Sequence, residues 1–192
     1  MIIGITGGTG SGKTTALEAL KALGATVLDC DEIYHKLLQT DKDLLAAIES
    51  RFPGVVEKGE LNRKKLGQIV FADNAALKDL NTITHKAVKI DVLRQLSFGA
   101  KLVAIDAIGL FEGELAPLCD VTVAVTAPEA CRIERIMQRD NVSREYALSR
   151  IHAQRSSAEF SALCDYTLEN NGAKEEFYEK CLGFFKKQAI IE

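Results

Sequence analysis

Long apolar runs are missing from this sequence: nothing in it approaches the ~20 consecutive apolar residues that a membrane-spanning helix needs. No membrane is therefore expected among its partners. The chain also enters a glycine-rich loop too soon for its start to serve as a signal peptide, and a cytoplasmic protein is expected. Cysteine pairs are missing too. Cys30, Cys119, Cys131, Cys164 and Cys181 are odd in number and scattered, with no C-x-x-C spacing, which predicts reduced, mostly packed thiols and no zinc site. Nor is there an excess of positive charge. The formal net charge is −3, against the basic surface that general nucleic-acid binding requires. Only 3 prolines occur, and no repeat, low-complexity stretch or flexible linker interrupts the chain. Its 192 residues suffice for one well-buried domain with subsidiary lobes, but are few for two independent domains.

What is present is concentrated at the start. Ile2-Ile3-Gly4-Ile5 reads as a buried strand, Gly7-Gly8-Thr9-Gly10-Ser11-Gly12-Lys13-Thr14-Thr15 as a loop, and Ala16, Leu17, Leu20 and Leu23 as one face of a helix that Gly24 ends. Gly7 and Gly12-Lys13-Thr14 fit the G-x-x-x-x-G-K-[ST] pattern of phosphate loops in its required strand–loop–helix setting. Glycine lets the backbone wrap a polyphosphate with N–H groups inward, and the first turn of the helix adds unpaired donors and a positive dipole end. Gly8, Thr9, Gly10, Ser11, Gly12, Lys13, Thr14 and Thr15 are thus the expected ATP-binding residues. Lys13 would reach the β- and γ-phosphates and the Thr14 hydroxyl would hold Mg²⁺.

Further strands are expected at Ala25–Asp29, Leu102–Ile105, Val121–Val125 and Asp165–Leu168. The second ends in Asp29-Cys30-Asp31 ahead of a helix beginning near Glu32, and carboxylates at that end of a parallel strand sit where α/β sheets bind ligands. Helix capping is the competing role for both. Asp106, closing four apolar residues, resembles a Walker B acid near the metal and its waters; a cap is again the alternative. From Asp41 to about Gly99 the pattern is almost wholly helical, more than a crossover needs, and predicts a separate lobe over the sheet edge for the second substrate. Of the nine arginines, Arg132, Arg135, Arg139, Arg144, Arg150 and Arg155 fall in one stretch without a lysine. Forked guanidinium groups suit phosphate oxygens, and Arg132, Arg135 and Arg139 recur at helical spacing along one face, so this stretch reads as a lid over the triphosphate. Pairing with Glu134 and Glu145 would be its structural alternative. The strand–helix alternation gives a five-stranded parallel sheet covered on both faces, an α/β fold.

With these segments placed, the sequence resembles the dephospho-CoA kinases. The resemblance runs nearly end to end through Gly4–Thr15, Asp29-Cys30-Asp31, Leu110-Phe111-Glu112, Gln138-Arg139-Asp140, Val142, Arg144, Gln154 and Asn170-Asn171-Gly172. It implies a P-loop NTPase fold like the nucleoside monophosphate kinases: one domain with a core at about 1–34, 100–130 and 160–192, a helical acceptor lobe at about 35–99 and an arginine lid at about 131–159. It implies transfer of the ATP γ-phosphoryl group to the ribose 3′-hydroxyl of dephospho-CoA. Asp31 would orient or deprotonate that hydroxyl, Arg139 would meet the ATP phosphates, and Asn171 would lie beside the adenine. Asp29, His85 and Glu112 would serve the acceptor. Two departures touch that region: Lys86 follows His85 where the family usually has proline, and Ile108-Gly109 stand where it usually has proline-leucine.

The expected partners are therefore ATP and dephospho-CoA, with Mg²⁺, for a monomer or small homo-oligomer. Two other readings compete. One is a kinase of the same architecture acting on a nucleoside monophosphate or a sugar acid. The other is an ATP-hydrolysing switch, which would need a water-positioning residue and a partner surface, neither of which the sequence identifies.

Overall fold

A computed structural model describes residues 1–188; the tail of the expected core segment, 189–192, lies outside the described residues. In chain order the elements are β1 (Ile2–Thr6), α1 (Lys13–Ala22), β2 (Thr26–Asp29), α2 (Cys30–Thr40), α3 (Lys42–Arg51), β3 (Val56–Glu57), β4 (Glu60–Leu61), α4 (Arg63–Val70) and α5 (Asn74–Leu96). They continue with β5 (Val103–Asp106), a 3-10 turn (Ala116–Leu118), β6 (Val121–Thr126), α6 (Glu129–Asp140), α7 (Arg144–His152), α8 (Ser157–Leu163), β7 (Tyr166–Glu169) and α9 (Lys174–Gln188). The chain divides into two compact units: one of Met1–Leu28, Gly99–Leu110 and the chain from Leu115 onward, the other of Asp29–Phe98 and Phe111–Glu114.

Five strands form a parallel sheet in the order β2-β5-β1-β6-β7. β1 lies between β5, with Ile5 beside Asp106, and β6, with Thr6 beside Ala124. β2 and β5 lie on one side of β1 and β6 and β7 on the other, so the reversal of strand order falls next to β1, where a crevice opens at the strand ends. Ile3, Ile5, Ala104, Val123 and Val125 are fully buried in the sheet, and Leu20 and Phe185 close over it. Continuous apolar strands of this kind need cover on both faces. α1 ends where Gly24 predicts: Gly24 N–H donates to Lys21 O and Ala25 N–H to Leu20 O, the paired bonds that satisfy a helix's last carbonyls.

The second unit has its own core of Leu44, Ile48, Phe52, Val55, Leu66 and Leu80. Here the structure corrects the expectation of an almost wholly helical segment. β3 and β4 form a small antiparallel hairpin, Val56 beside Leu61 and Glu57 beside Glu60, turned by Lys58 and Gly59, both at positive φ. Helix α2 also begins earlier than expected, at Cys30 rather than near Glu32. Asp29 is its N-cap: the Asp29 carboxylate accepts from Asp31 N–H at 2.9 Å and from Glu32 N–H at 3.0 Å. Pro128 is the N-cap of α6.

Candidate active site

The loop between β1 and α1 is set by contacts from outside it. Gly7 has φ 138°, and a Cβ there would run into the Val125 carbonyl, so no other residue lets β1 turn this close to β6. Six consecutive carbonyls then find donors. Gly7 O accepts from Lys13 Nζ at 2.9 Å, and Gly8 O from Ser11 N–H at 3.2 Å. Thr9 O accepts from Arg132 Nε at 2.9 Å and Gly10 O from Arg135 Nη1 at 3.2 Å. Ser11 O accepts from Asn170 Nδ2 at 2.9 Å, and Gly12 O from Thr15 N–H at 3.0 Å. With the carbonyls held by these partners, the remaining amides and the start of α1 present positive potential, which is what an anion site requires. Ser11 Oγ and Arg132 Nη2 are buried without a hydrogen-bond partner, so polar capacity is left over at this loop.

α6 supplies the belt around the loop. Arg132 is buried, 4% exposed; that burial presses its pKa down, while Glu129 opposes the shift. Arg135 also donates to Asn170 Oδ1 at 3.2 Å. The spacing of Arg132, Arg135 and Arg139 correctly predicts a helix, but the three do not act alike. Arg139, at the exposed end of α6, forks onto Asp140 at 2.7 and 2.9 Å, and Arg150 of α7 meets the same carboxylate at 2.6 Å. The Arg139 bond and then Arg150 hold the Asp140 carboxyl down at about 2. Glu134 and Glu145 appear in none of the salt bridges described in this region, which are made by Asp140 and Glu129, the latter with His152.

Other expected residues fall as follows. Thr14 is exposed in the first turn of α1 and Thr15 is buried. Asp106 ends β5, one strand over from the end of β1. Thr14 and Asp106 offer only oxygen donors, which suit a hard cation such as Mg²⁺. Among the described residues no three His, Cys, Asp or Glu side chains converge on a metal position. Asn171 is exposed beyond β7, with Nδ2 donating to Glu169 at 3.2 Å, whereas its neighbour Asn170 is buried. In the second unit Asp31 is exposed in the first turn of α2. His85 and Glu112 line one cavity of about 710 Å³ there, with Lys78, Lys86 and Lys89. No disulfide joins any of the five cysteines, and Cys30 and Cys181 are buried. Among the described residues no helix is long and apolar enough to cross a membrane.

The sequence model of the dephospho-CoA kinase family matches residues 1–176. The chain belongs to the dephospho-CoA kinase family. The Geobacillus kaustophilus dephospho-CoA kinase is 34% identical over 198 residues, covering 100% of this chain and 98% of that one. A crystal structure of a Thermus thermophilus protein superposes with a TM-score of 0.83 at 34% identity, covering 98% and 97%. The dephospho-CoA kinase of Campylobacter jejuni gives 0.71 at 26% identity, with the same coverage. The match therefore favours the dephospho-CoA kinase reading over another P-loop kinase or an ATPase switch.

For this family member, expectation from sequence missed four residues at the loop: Arg132 and Arg135 as its clamps, Asn170 as its brace and Gln154, whose Oε1 accepts from Thr9 N–H at 2.8 Å. Helical spacing identified the arginine face but not its acceptors. For Asn170 the available signal was the Asn-Asn pair, which gives no sign of which amide turns inward.

Proposed function

We propose that the chain transfers the γ-phosphoryl group of ATP to the ribose 3′-hydroxyl of dephospho-CoA, giving coenzyme A and ADP, the last step of coenzyme A biosynthesis. The observation that carries this reading is the family match over residues 1–176, laid on a loop whose carbonyls are all occupied by donors.

Phosphoryl transfer asks the protein mainly for positioning and charge stabilisation, with a carboxylate to take the hydroxyl proton. In this reading Gly8 to Thr15 hold the triphosphate through backbone N–H groups. Lys13, already folded over the loop onto the Gly7 carbonyl, turns its ammonium to the β- and γ-phosphates. Arg139 adds a forked contact to the donor, and Asn171 borders the adenine. Asp31 orients the 3′-hydroxyl and accepts its proton. Asp29 supports it by fixing the first turn of α2, while His85 and Glu112 bind the acceptor. Thr14 and Asp106 would hold Mg²⁺, which when bound neutralises charge on the β- and γ-phosphates. The working partners are these two small molecules, without nucleic acid or membrane, in a cytoplasmic monomer or small homo-oligomer.

The test is direct: incubate the purified protein with ATP, Mg²⁺ and dephospho-CoA and look for a product carrying one added phosphate at the 3′ position. Phosphorylation of a nucleoside monophosphate in place of dephospho-CoA would overturn the assignment.

A further inference from the structure

Arg132 and Gln154 meet over Gly8. A Cβ built on Gly8 would collide with Arg132 Nη2 and lie 3.2 Å from Gln154 Oε1, so the guanidinium and the amide crowd one point above the Gly8 Cα. Each also holds one side of Thr9. Arg132 Nε donates to the Thr9 carbonyl at 2.9 Å, and the Thr9 N–H donates to Gln154 Oε1 at 2.8 Å. The second guanidinium nitrogen, Nη2, is buried with no hydrogen-bond partner, in a residue only 4% exposed. An N–H without an acceptor is costly inside a protein, most of all on a charged group. Gln154 Oε1 lies against the same glycine and accepts from Thr9.

We propose that Arg132 and Gln154 form a hydrogen-bond exchange that couples occupation of the phosphate loop to α6 and α7. A phosphate oxygen takes the Thr9 N–H; Gln154 Oε1, released from it, then accepts from Arg132 Nη2. The proposal rests on the reading that this loop binds the ATP polyphosphate. Gln154 Oε1 occupies the Thr9 amide as a phosphate oxygen would, since loop amides of this kind are the donors that polyphosphate claims. The exchange is favourable because it ends with one more satisfied donor than it began with: Thr9 N–H keeps an acceptor and Arg132 Nη2 gains one. Gln154 stands one residue past the C-cap of α7, Ala153, its own N–H donating to Ile151 O at 3.2 Å, so a shift of its side chain is felt at the end of that helix. Both residues are positioning residues. Neither needs to touch the reacting atoms.

A binding cycle separates the exchange from a simple clamp. The β,γ-imido analogue of ATP, with Mg²⁺, is titrated calorimetrically into the unaltered protein, Arg132→Lys, Gln154→Met and the double variant. Arg132→Lys loses Nη2 together with the Nε bond to the Thr9 carbonyl, so the exchange is read as a difference: the change should weaken binding about tenfold more in the unaltered background than in Gln154→Met, the worth of one charge-assisted bond. In the Gln154→Met background, where no amide oxygen remains to receive Nη2, only the cost of the lost Nε bond should remain. In ¹⁵N spectra the Arg132 η protons should become slowly exchanging on addition of the analogue, and should fail to do so in Gln154→Met. This second measurement decides the matter should Arg132→Lys fold poorly. Equal losses in both backgrounds, or η protons indifferent to the analogue, would overturn the exchange and leave Arg132 a static clamp. No binding by the unaltered protein would overturn the donor site as well, whereas binding without coupling overturns the exchange alone.

Discussion

Asn170 and Ser11 are joined across 159 positions of sequence by a single bond, Asn170 Nδ2 to the Ser11 carbonyl at 2.9 Å. The Asn170 amide oxygen accepts at the same time from Arg135, so one buried side chain braces both the phosphate loop and the helix that surrounds it. Replacing it by alanine leaves the Ser11 carbonyl only the long 3.5 Å bond from Arg135 Nη1 and strands an Arg135 N–H, a cost of about 1–3 kcal/mol. Calorimetry of Asn170→Ala should show a Tm lowered by roughly 2–4 °C for each of those kcal/mol. Asn170→Asp keeps the acceptor for Arg135 but sets a carboxylate against a carbonyl beside the anion site. It should harm ATP binding more than it harms stability; the reverse order would mean that the brace does not shape the loop.

Gly7 makes a sharper prediction. Its φ of 138° strains any side chain, and the space is taken by the Val125 carbonyl. Gly7→Ala should lose on the order of 1–3 kcal/mol of stability and most of its ATP affinity, because β1 must move away from β6 at the loop entrance. Thermal unfolding and ATP titration of the same sample check both halves, and unchanged ATP affinity would refute the second.

Asp31 carries the proposed chemistry. Asp31→Asn keeps the size and the place in the first turn of α2 but cannot accept a proton. Turnover should fall by about 10²–10⁴-fold while the dissociation constant for ATP stays within about twofold. Near-normal turnover would remove Asp31 as the base, and a large loss of ATP affinity would assign it to the donor instead.

Asp140 gives a pH-dependent signature. Its carboxyl is held at about 2 by Arg139 and then Arg150, below the ordinary carboxylate value near 3.9. A depressed folded-state pKa contributes stability that is fully present above the unfolded value and is lost as pH falls through the folded one. The stability difference between the unaltered protein and Asp140→Asn should thus be constant near neutrality and vanish between about pH 4 and pH 2. Carboxyl ¹³C shifts of Asp140 would follow the titration directly. A midpoint near the ordinary aspartate value would show that the two arginines do not hold it in solution.

The elements differ in how much of them could be read from residues alone. Ile2-Ile3-Gly4-Ile5, the loop glycines and the Leu17–Leu20 face announce strand, turn and helix together, because each obeys a separate local rule and the rules agree. The hairpin at Val56–Leu61 was hidden: strands of two residues hold no period, and only Lys58-Gly59 hinted at a turn. The start of α2 was misplaced because Asp29 and Asp31 are both good caps by type, and only the backbone shows that Asp29 takes the two N–H groups. At the site, the pattern identified the residues lining the loop but not those behind it. Arg132, Arg135 and Asn170 are distant in sequence, and a guanidinium has five N–H groups that spacing cannot direct to an acceptor.

The belt of donors around the loop has a consequence for how freely this motif can travel. Residues 1 to 24 hold the whole recognisable phosphate pattern, yet the partners of the Thr9, Gly10 and Ser11 carbonyls come from Arg132, Arg135 and Asn170. Transplanted without α6 and the end of β7, those three peptide groups would be free to turn their oxygens toward the ligand and repel it. The glycine loop is therefore not a self-sufficient cassette, and its polarity belongs to the far half of the chain.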